Sequence, residues 1–272
     1  MTSESSTQGT AVPAERLDVR GTMVAYRRKG SGPALVFFHE FGFSQRWLPV
    51  HERLSEHADV IAVDLQGFGD SPAVTWMTGF EDLALHYAEF ADALGLGPFH
   101  LVGHGFGGWV AAEFAAFYPE RLRTLTLITP MGLRVPGHTP ADLFRMSAEG
   151  RLDIMDAAVG PSRADAGLEL LLQDYADLTG FGRFAWNPRY DIRLDRRLGR
   201  VTCPALVIGA EADRVVPAAH VERYAQLLPN AKTTVIRGTG IHGTGSGQTG
   251  HGVVIREPDA VAAEIRTFTE GH

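Results

Sequence analysis

The residues best placed to do chemistry in this chain surround a turn that withholds a side chain. Phe99-His100-Leu101-Val102-Gly103-His104-Gly105-Phe106-Gly107-Gly108 runs from apolar residues into a glycine cluster, then into the small-residue pattern Trp109 to Ala115. That order predicts a strand, a very tight turn and a helix. Such a turn holds its middle residue above a sheet, at a helix N-terminus whose N–H groups face any negative charge placed there. The middle residue is Gly105, so no hydroxyl, thiol or carboxylate is presented. Without one, no acyl-enzyme or alkyl-enzyme can form at this position. Polar residues cluster at two further places. One is His39-Glu40-Phe41-Gly42-Phe43-Ser44, at the end of an apolar run; the other is the glycine-rich stretch Gly238 to Gly252, which carries His242 and His251.

The elements that must position these residues can be read in order. Arg16 to Val19 and Thr22 to Arg27, split by Gly21, predict an antiparallel hairpin at a sheet edge. Pro33 to His39, Ala58 to Asp64 and Leu122 to Ile128 are continuous apolar runs of the kind that strands buried on both faces show. Helical spacing covers Arg46 to His57 and Phe80 to Leu94. Strands alternating with helices imply an α/β fold with a doubly wound, mostly parallel sheet flanked by helices. Ligands of such sheets sit at the carboxyl ends of the strands, which is where His39, Asp64 and Gly105 fall. From Met131 to Leu198 the alternation stops. Asp142 to Met155 and Ala164 to Leu178 predict helices, punctuated by Pro136, Pro140 and Pro161 and closed by Trp186-Asn187-Pro188. The alternation resumes with a strand at Ala205 to Gly209, a helix at Ala218 to Leu228, a strand at Thr233 to Ile236 and a helix at Pro258 to Thr269. The expected organisation is a flexible tail over 1–14, a core over 15–130 and 199–272, and an inserted helical cap over 131–198.

Five ordered pieces carry a family resemblance. His39-Glu40-Phe41-Gly42-Phe43-Ser44, Asp64-x-x-Gly67-x-Gly69-x-Ser71, Gly103-His104-x-Phe106-Gly107-Gly108, Asp213-Arg214-Val215-Val216-Pro217 and Gly250-His251 to Glu257-Pro258 resemble segments of the α/β-hydrolase superfamily. The likeness runs from about Arg16 to the C-terminus and is closest to small lidded members acting on esters, epoxides or the carbon–carbon bonds of ring-cleavage products. In that family the turn at Gly103 to Gly107 is the nucleophile elbow, Gly-x-Ser-x-Gly. The resemblance makes Asp213 the acid and His251 the base, with His242 as rival base or ligand contact. It makes the backbone N–H of Phe106, with that of Glu40 or Phe41, the oxyanion donors. His39 and His104 become pocket or packing residues, Trp186 and Tyr190 line the pocket or the cap hinge, and Asp64 and Ser71 brace a loop.

Three departures fall at one place. Gly105 replaces the nucleophile, Glu40 replaces the glycine that usually follows the histidine of the oxyanion loop, and a glycine-rich insertion lengthens the loop carrying the base. Together they suggest a site rebuilt as a whole. The expected chemistry uses the His251–Asp213 dyad as general base, worth roughly 10²- to 10⁴-fold, with no covalent nucleophile. The substrate expected is a small, mostly apolar carbonyl, enol or phenol compound, undergoing elimination, cyclisation or water addition. Glu40, if it points inward beside the oxyanion site, is expected to be protonated and donating, or to act as acid or base; otherwise it turns to solvent or pairs with Arg46. The rival explanations are a serine-type ester or carbon–carbon bond hydrolase that has lost its serine, and a binding protein that keeps the pocket without turnover.

Composition excludes other classes. A net charge of -7 leaves no basic face for nucleic acid or an anionic membrane. No stretch holds the roughly 18 apolar residues a membrane span needs, and no secretory signal is recognisable at Met1 to Pro13, so the expected location is the cytoplasm. A single cysteine, Cys203, excludes an internal disulfide and any multi-cysteine metal site; its place at the start of a strand predicts a buried structural thiol. No metal cluster or phosphate loop competes, and no acidic residue follows the next strand as a dinucleotide site requires. No metal or other cofactor is expected, the partner is a small-molecule substrate, and homodimerisation stays open.

Overall fold

The computed structural model describes residues 12–155, 167–238 and 249–272. Eight strands form one sheet in the order β1-β2-β4-β3-β5-β6-β7-β8. β1 (Glu15–Val19) and β2 (Thr22–Lys29) make the antiparallel edge hairpin, and β2 runs antiparallel to β4 (Asp59–Val63). From there the sheet is parallel through β3 (Ala34–Phe38), β5 (Phe99–His104), β6 (Leu122–Ile128), β7 (Ala205–Ala210) and β8 (Ala231–Ile236). β5 is buried at every position, as are β7 and all but the edge residues of β3 and β4, which explains why their sequences are continuous rather than alternating.

The helices are α1 (Pro49–Ser55), α2 (Phe80–Ala93), α3 (Gly105–Phe117), α4 (Ala148–Ile154), α5 (Gly167–Ala185), α6 (Leu194–Arg197), α7 (Ala219–Leu227), α8 (Val253–Arg256) and α9 (Pro258–Glu270). α3 is buried from Gly105 to Ala116, so it is apolar all round and sits at the centre of the molecule. α1 starts at Pro49 rather than Arg46, because proline favours the first helical position. The segment expected as one helix from Asp142 to Met155 is a 3-10 turn at Leu143–Arg145 followed by α4, whose N-cap Ser147 accepts from the Gly150 N–H. α5 runs on to Ala185, beyond the expected Leu178.

The segment between β6 and β7 adds no strand to the sheet among the described residues; its two ends meet in an isolated bridge between Gly132 and Tyr190. It is tied to the sheet by α5. Asp177 accepts from the Ser44 hydroxyl at 2.8 and 2.9 Å, Arg183 donates to the Val74 and Met77 carbonyls, and Phe181 packs 5.4 Å from Phe106 and 5.8 Å from Phe41. Among the described residues no helix is long and apolar enough to cross a membrane.

The turn between β5 and α3 is closed so tightly that its glycines are obligatory. A Cβ on Gly107 would run into the Phe38 and His39 carbonyl oxygens, and one on Gly103 would lie 2.7 Å from the Ala111 side chain. Gly107→Ala is therefore expected to destabilise the fold by about 1–3 kcal/mol, the usual cost of overpacking. Urea unfolding checks this, and an unchanged midpoint would contradict the packing described.

Candidate active site

Four strand ends converge on one buried cluster. Glu40 lies two residues beyond β3, Gly105 begins α3 directly after β5, Asp213 follows β7, and His251 lies between β8 and α8. Gly105 has φ +51°, a left-handed conformation that glycine adopts without strain. Glu40 and His251 are both fully buried.

Glu40 points inward and takes the space of the absent side chain. A Cβ built on Gly105 would overlap Glu40 Oε2 and lie 2.9 Å from His251 Nε2. The Phe41 N–H donates to Glu40 Oε1 at 2.5 Å and the Phe106 N–H donates to Oε2 at 2.6 Å. His251 Nε2 lies 3.1 Å from the same Oε2. On the other side of the imidazole, Nδ1 is 2.8 Å from Asp213 Oδ2, while Asp213 Oδ1 accepts from the N–H groups of Val215 at 2.7 Å and Val216 at 2.8 Å. The side chains thus form a row, Asp213–His251–Glu40, that ends in the helix N-terminus of α3.

Two expectations are corrected here. The N–H groups of Phe41 and Phe106 do not stand open for a substrate oxyanion; both are occupied by the Glu40 carboxylate. Glu40 is not turned to solvent: it is fully buried, and each of its carboxyl oxygens accepts a backbone N–H.

The charge of His251 follows. Burial pushes the imidazole towards neutrality, but the Asp213 and Glu40 carboxylates outweigh it and raise the pKa from 6.5 to about 10. At neutral pH both ring nitrogens therefore carry protons, one directed at each carboxylate. A free neutral base, which the expected dyad chemistry needs, is not the resting state.

The surrounding histidines hold backbone. His39 Nε2 accepts from the Leu65 N–H at 3.0 Å, so its Nδ1 donates to the Glu40 carbonyl at 2.8 Å. That fixes the peptide from which the Glu40 side chain departs. His104 Nε2 lies 2.8 Å from the His251 carbonyl and its ring stacks on Phe43. Burial, helped by the nearby His251 charge, keeps the His104 pKa well below 6.5, so it stays neutral and donates. Asp64 accepts from the Gln45 and Asp70 N–H groups and pairs with Arg27, while Ser71 Oγ accepts from the Ala25 N–H; both brace loops.

The remaining sequence candidates are more distant. Trp186 is 63% exposed and packs edge-on against Phe144. Tyr190 makes the bridge to Gly132, with Arg134 over its ring. His242 lies outside the described residues. Cys203 is buried, and burial pushes its thiol up to about 11. Asp177 and Ser44 went unpredicted, since nothing local in the sequence links residues 133 positions apart. A cavity of about 290 Å³ opens at the opposite ends of the strands, against Arg53, His100 and Arg266, and none of the cluster residues lines it. No group of metal ligands occurs among the described residues.

Comparison with known proteins agrees with this geometry at the level of the fold. Residues 35–264 match the model of the alpha/beta hydrolase family. The chain is 32% identical, over 75% of its length, to the dihydrolipoyllysine-residue acetyltransferase component of the acetoin cleaving system of Cupriavidus necator, of which it spans 59%. It is 31% identical, over 76% of its length and 81% of the other protein, to a 2-hydroxy-6-oxononadienedioate/2-hydroxy-6-oxononatrienedioate hydrolase of Burkholderia vietnamiensis. The crystal structure of a bacterial membrane phospholipase A superposes with a TM-score of 0.79 at 26% identity, covering 96% of this chain and 86% of that one.

The double hold on His251 predicts a pH dependence of stability. A pKa raised on folding contributes stability that is complete below about 6.5 and is lost as pH rises through about 10. Urea midpoints should therefore fall between pH 7 and pH 10, and the fall should shrink in Asp213→Asn and Glu40→Gln. A midpoint that rises over this window would mean that His251 is neutral when folded.

Proposed function

This chain belongs to the α/β-hydrolase family, and we propose that within it the chain is an enzyme that works without an elbow nucleophile. Its Asp213–His251–Glu40 row moves protons for a small, mostly apolar substrate, and Glu40 is the member that meets the substrate. No metal or other cofactor takes part in this scheme. The reactions open to such a set are elimination, cyclisation and addition of water.

One observation carries the reading. The space of the missing side chain at Gly105 is filled by a carboxylate from another loop, already hydrogen-bonded to the helix N-terminus and to His251. Loss of a serine by drift or design would leave a hole and leave residue 40 untouched. A glutamate that fits the hole and engages the donors around it points to a group recruited for work. The chemistry follows from the charges. The imidazolium can give a proton to a leaving or developing oxygen, and after giving it can take one from water or from a carbon acid. A carbonyl, enol or phenol substrate can use the Phe41 and Phe106 N–H groups only by displacing Glu40, which makes direct action of Glu40 the simpler route. The names of the relatives, among them a monoacylglycerol lipase, a 2-(acetamidomethylene)succinate hydrolase and a 2-hydroxy-6-oxononadienedioate/2-hydroxy-6-oxononatrienedioate hydrolase, are consistent with a small-molecule substrate.

The test separates this reading from a serine hydrolase lacking its serine. Gly105→Ser should give no more than background hydrolysis of short p-nitrophenyl esters and should lower stability, because its Cβ overlaps Glu40. In a mass-spectrometric screen of small apolar compounds, product should form with the wild type and fall at least about 10²-fold in Glu40→Gln and in His251→Ala, the loss expected when acid–base groups are removed. A strong gain of esterase activity in Gly105→Ser would overturn the reading, as would binding with no product from any compound.

A further inference from the structure

We propose that the cavity at the amino-terminal ends of the strands, walled by α1 and α9, is a binding site for a small apolar carboxylate that carries a second oxygen at its far end. It lies across the sheet from the Asp213–His251–Glu40 row and shares no residue with it.

The cavity follows from the patterning of α9. Val261, Ile265 and Phe268 are buried and turn one face of that helix to the core. Asp259, Ala262, Ala263, Arg266 and Thr269, at three- and four-residue spacing, make a second stripe, and all five line the cavity. The two alanines fill little of the space before α1, whose Arg53 and Leu54 belong to the facing wall. Leu35 of β3 and His100 of β5 close it on the sheet side. The volume of about 290 Å³ lies at the small end of the roughly 300–1,000 Å³ usual for ligand sites. One ring or one short chain suits it.

Polar groups at two depths select the ligand. At the floor, His100 is 4% exposed, and its Nδ1 is 2.8 Å from Thr124 Oγ1. Among the described residues no group meets Nε2, which is left to the cavity that His100 lines. Burial, with Arg123 and His272 nearby, pushes the ring down to about 4, so it is neutral. A Thr124 hydroxyl donating to Nδ1 places the ring proton on Nε2, ready for a hydroxyl or carbonyl oxygen. Such a buried donor is costly to leave unmet.

At the rim, Arg266 is exposed and pairs with no carboxylate among the described residues. Its Nη1 donates to His57 Nε2 at 3.1 Å, which uses one of its five N–H groups and leaves the others for a carboxylate. Arg53 is already engaged, since it pairs with Asp259 and Glu56. Arg266 is therefore the charge left to attract an anion. Glu270 lies on the same rim and would favour an amine instead, so the experiment sets the two against each other.

Calorimetric titration of the full chain at pH 7 with 4-hydroxyphenylacetate, phenylacetate and tyramine tests the site. The hydroxy acid is expected to bind at one site with a Kd of about 1 mM or tighter, within reach of a ligand of this size. Tyramine, which lacks the carboxylate, and phenylacetate, which lacks the hydroxyl, should each bind at least about fivefold more weakly. Arg266→Gln should weaken the hydroxy acid at least about tenfold, and Ala263→Trp, at an exposed position, should abolish binding by filling the cavity. Both substitutions are on the surface, and circular dichroism checks that the variants fold. In His100→Leu the preference for the hydroxy acid over phenylacetate should vanish; if that variant does not fold, the comparison of ligands on the wild type stands in its place. Tyramine binding as well as the acid would overturn the proposal, as would equal affinity for the two acids. Affinity unchanged in both Arg266→Gln and Ala263→Trp would place the acid elsewhere and overturn it too, and so would the absence of binding by all three compounds.

Discussion

One carboxylate, that of Glu40, meets three donors supplied by three separate parts of the chain: its own loop at Phe41, the start of α3 at Phe106 and the loop before α8 at His251. A buried carboxyl group is costly unless its lone pairs are satisfied, so the burial of Glu40 and the convergence of these elements depend on each other. Gly105 is part of the same constraint. Only a residue without a Cβ leaves room for Oε2, and the left-handed φ at that position already favours glycine. What the bare sequence offers as a missing group is therefore the complement of a group present elsewhere.

The second carboxylate completes the arrangement. Asp213 is fixed by two backbone N–H groups of its own loop, which leaves Oδ2 for His251. His251 then carries a charge that either carboxylate alone would hold less firmly. His39 and His104 share a role with opposite geometry: each is neutral and uses one N–H to anchor a carbonyl, that of Glu40 in one case and of His251 in the other. The site is thus a set of charged side chains whose backbones are clamped by uncharged histidines. Such second partners restrict the motion of the groups that do the chemistry.

Most of the fold was legible because burial on both faces leaves an unmistakable apolar run, and because β3, β4, β5, β6 and β7 each carry one. The place of Gly105 was legible for a related reason, since it follows a strand at the end where such sheets bind ligands; Asp213 and His251 came from the family resemblance, with His242 left as a rival base. Their mutual state was not. Whether Glu40 points in depends on a rotamer and on room left by a residue 65 positions away, and neither is written in local pattern. The Phe41 and Phe106 N–H groups were expected to stand open, whereas both meet the Glu40 side chain, which lies next to Phe41 in the chain but 66 positions from Phe106. The same limit hides the Ser44–Asp177 tie, while α1 starts at Pro49 where apolar spacing alone would begin it at Arg46.

The exclusion between residues 40 and 105 bears on how such a site could be reached. A serine at 105 and an inward glutamate at 40 claim the same volume, so a chain carrying both must expel one of them from contact with His251. A chain carrying neither leaves the Phe41 and Phe106 donors unfilled and His251 held by Asp213 alone, with its charge less supported. Either change alone loses the packed, hydrogen-bonded cluster of the present chain. The two substitutions are therefore coupled through one site, in the sense that the effect of each reverses with the state of the other. A glycine at the elbow is tolerable here because Glu40 is present, and Glu40 is tolerable because the elbow is glycine. That reciprocity is the physical reason to treat the pair as a single functional feature rather than as a lost serine beside an unrelated glutamate.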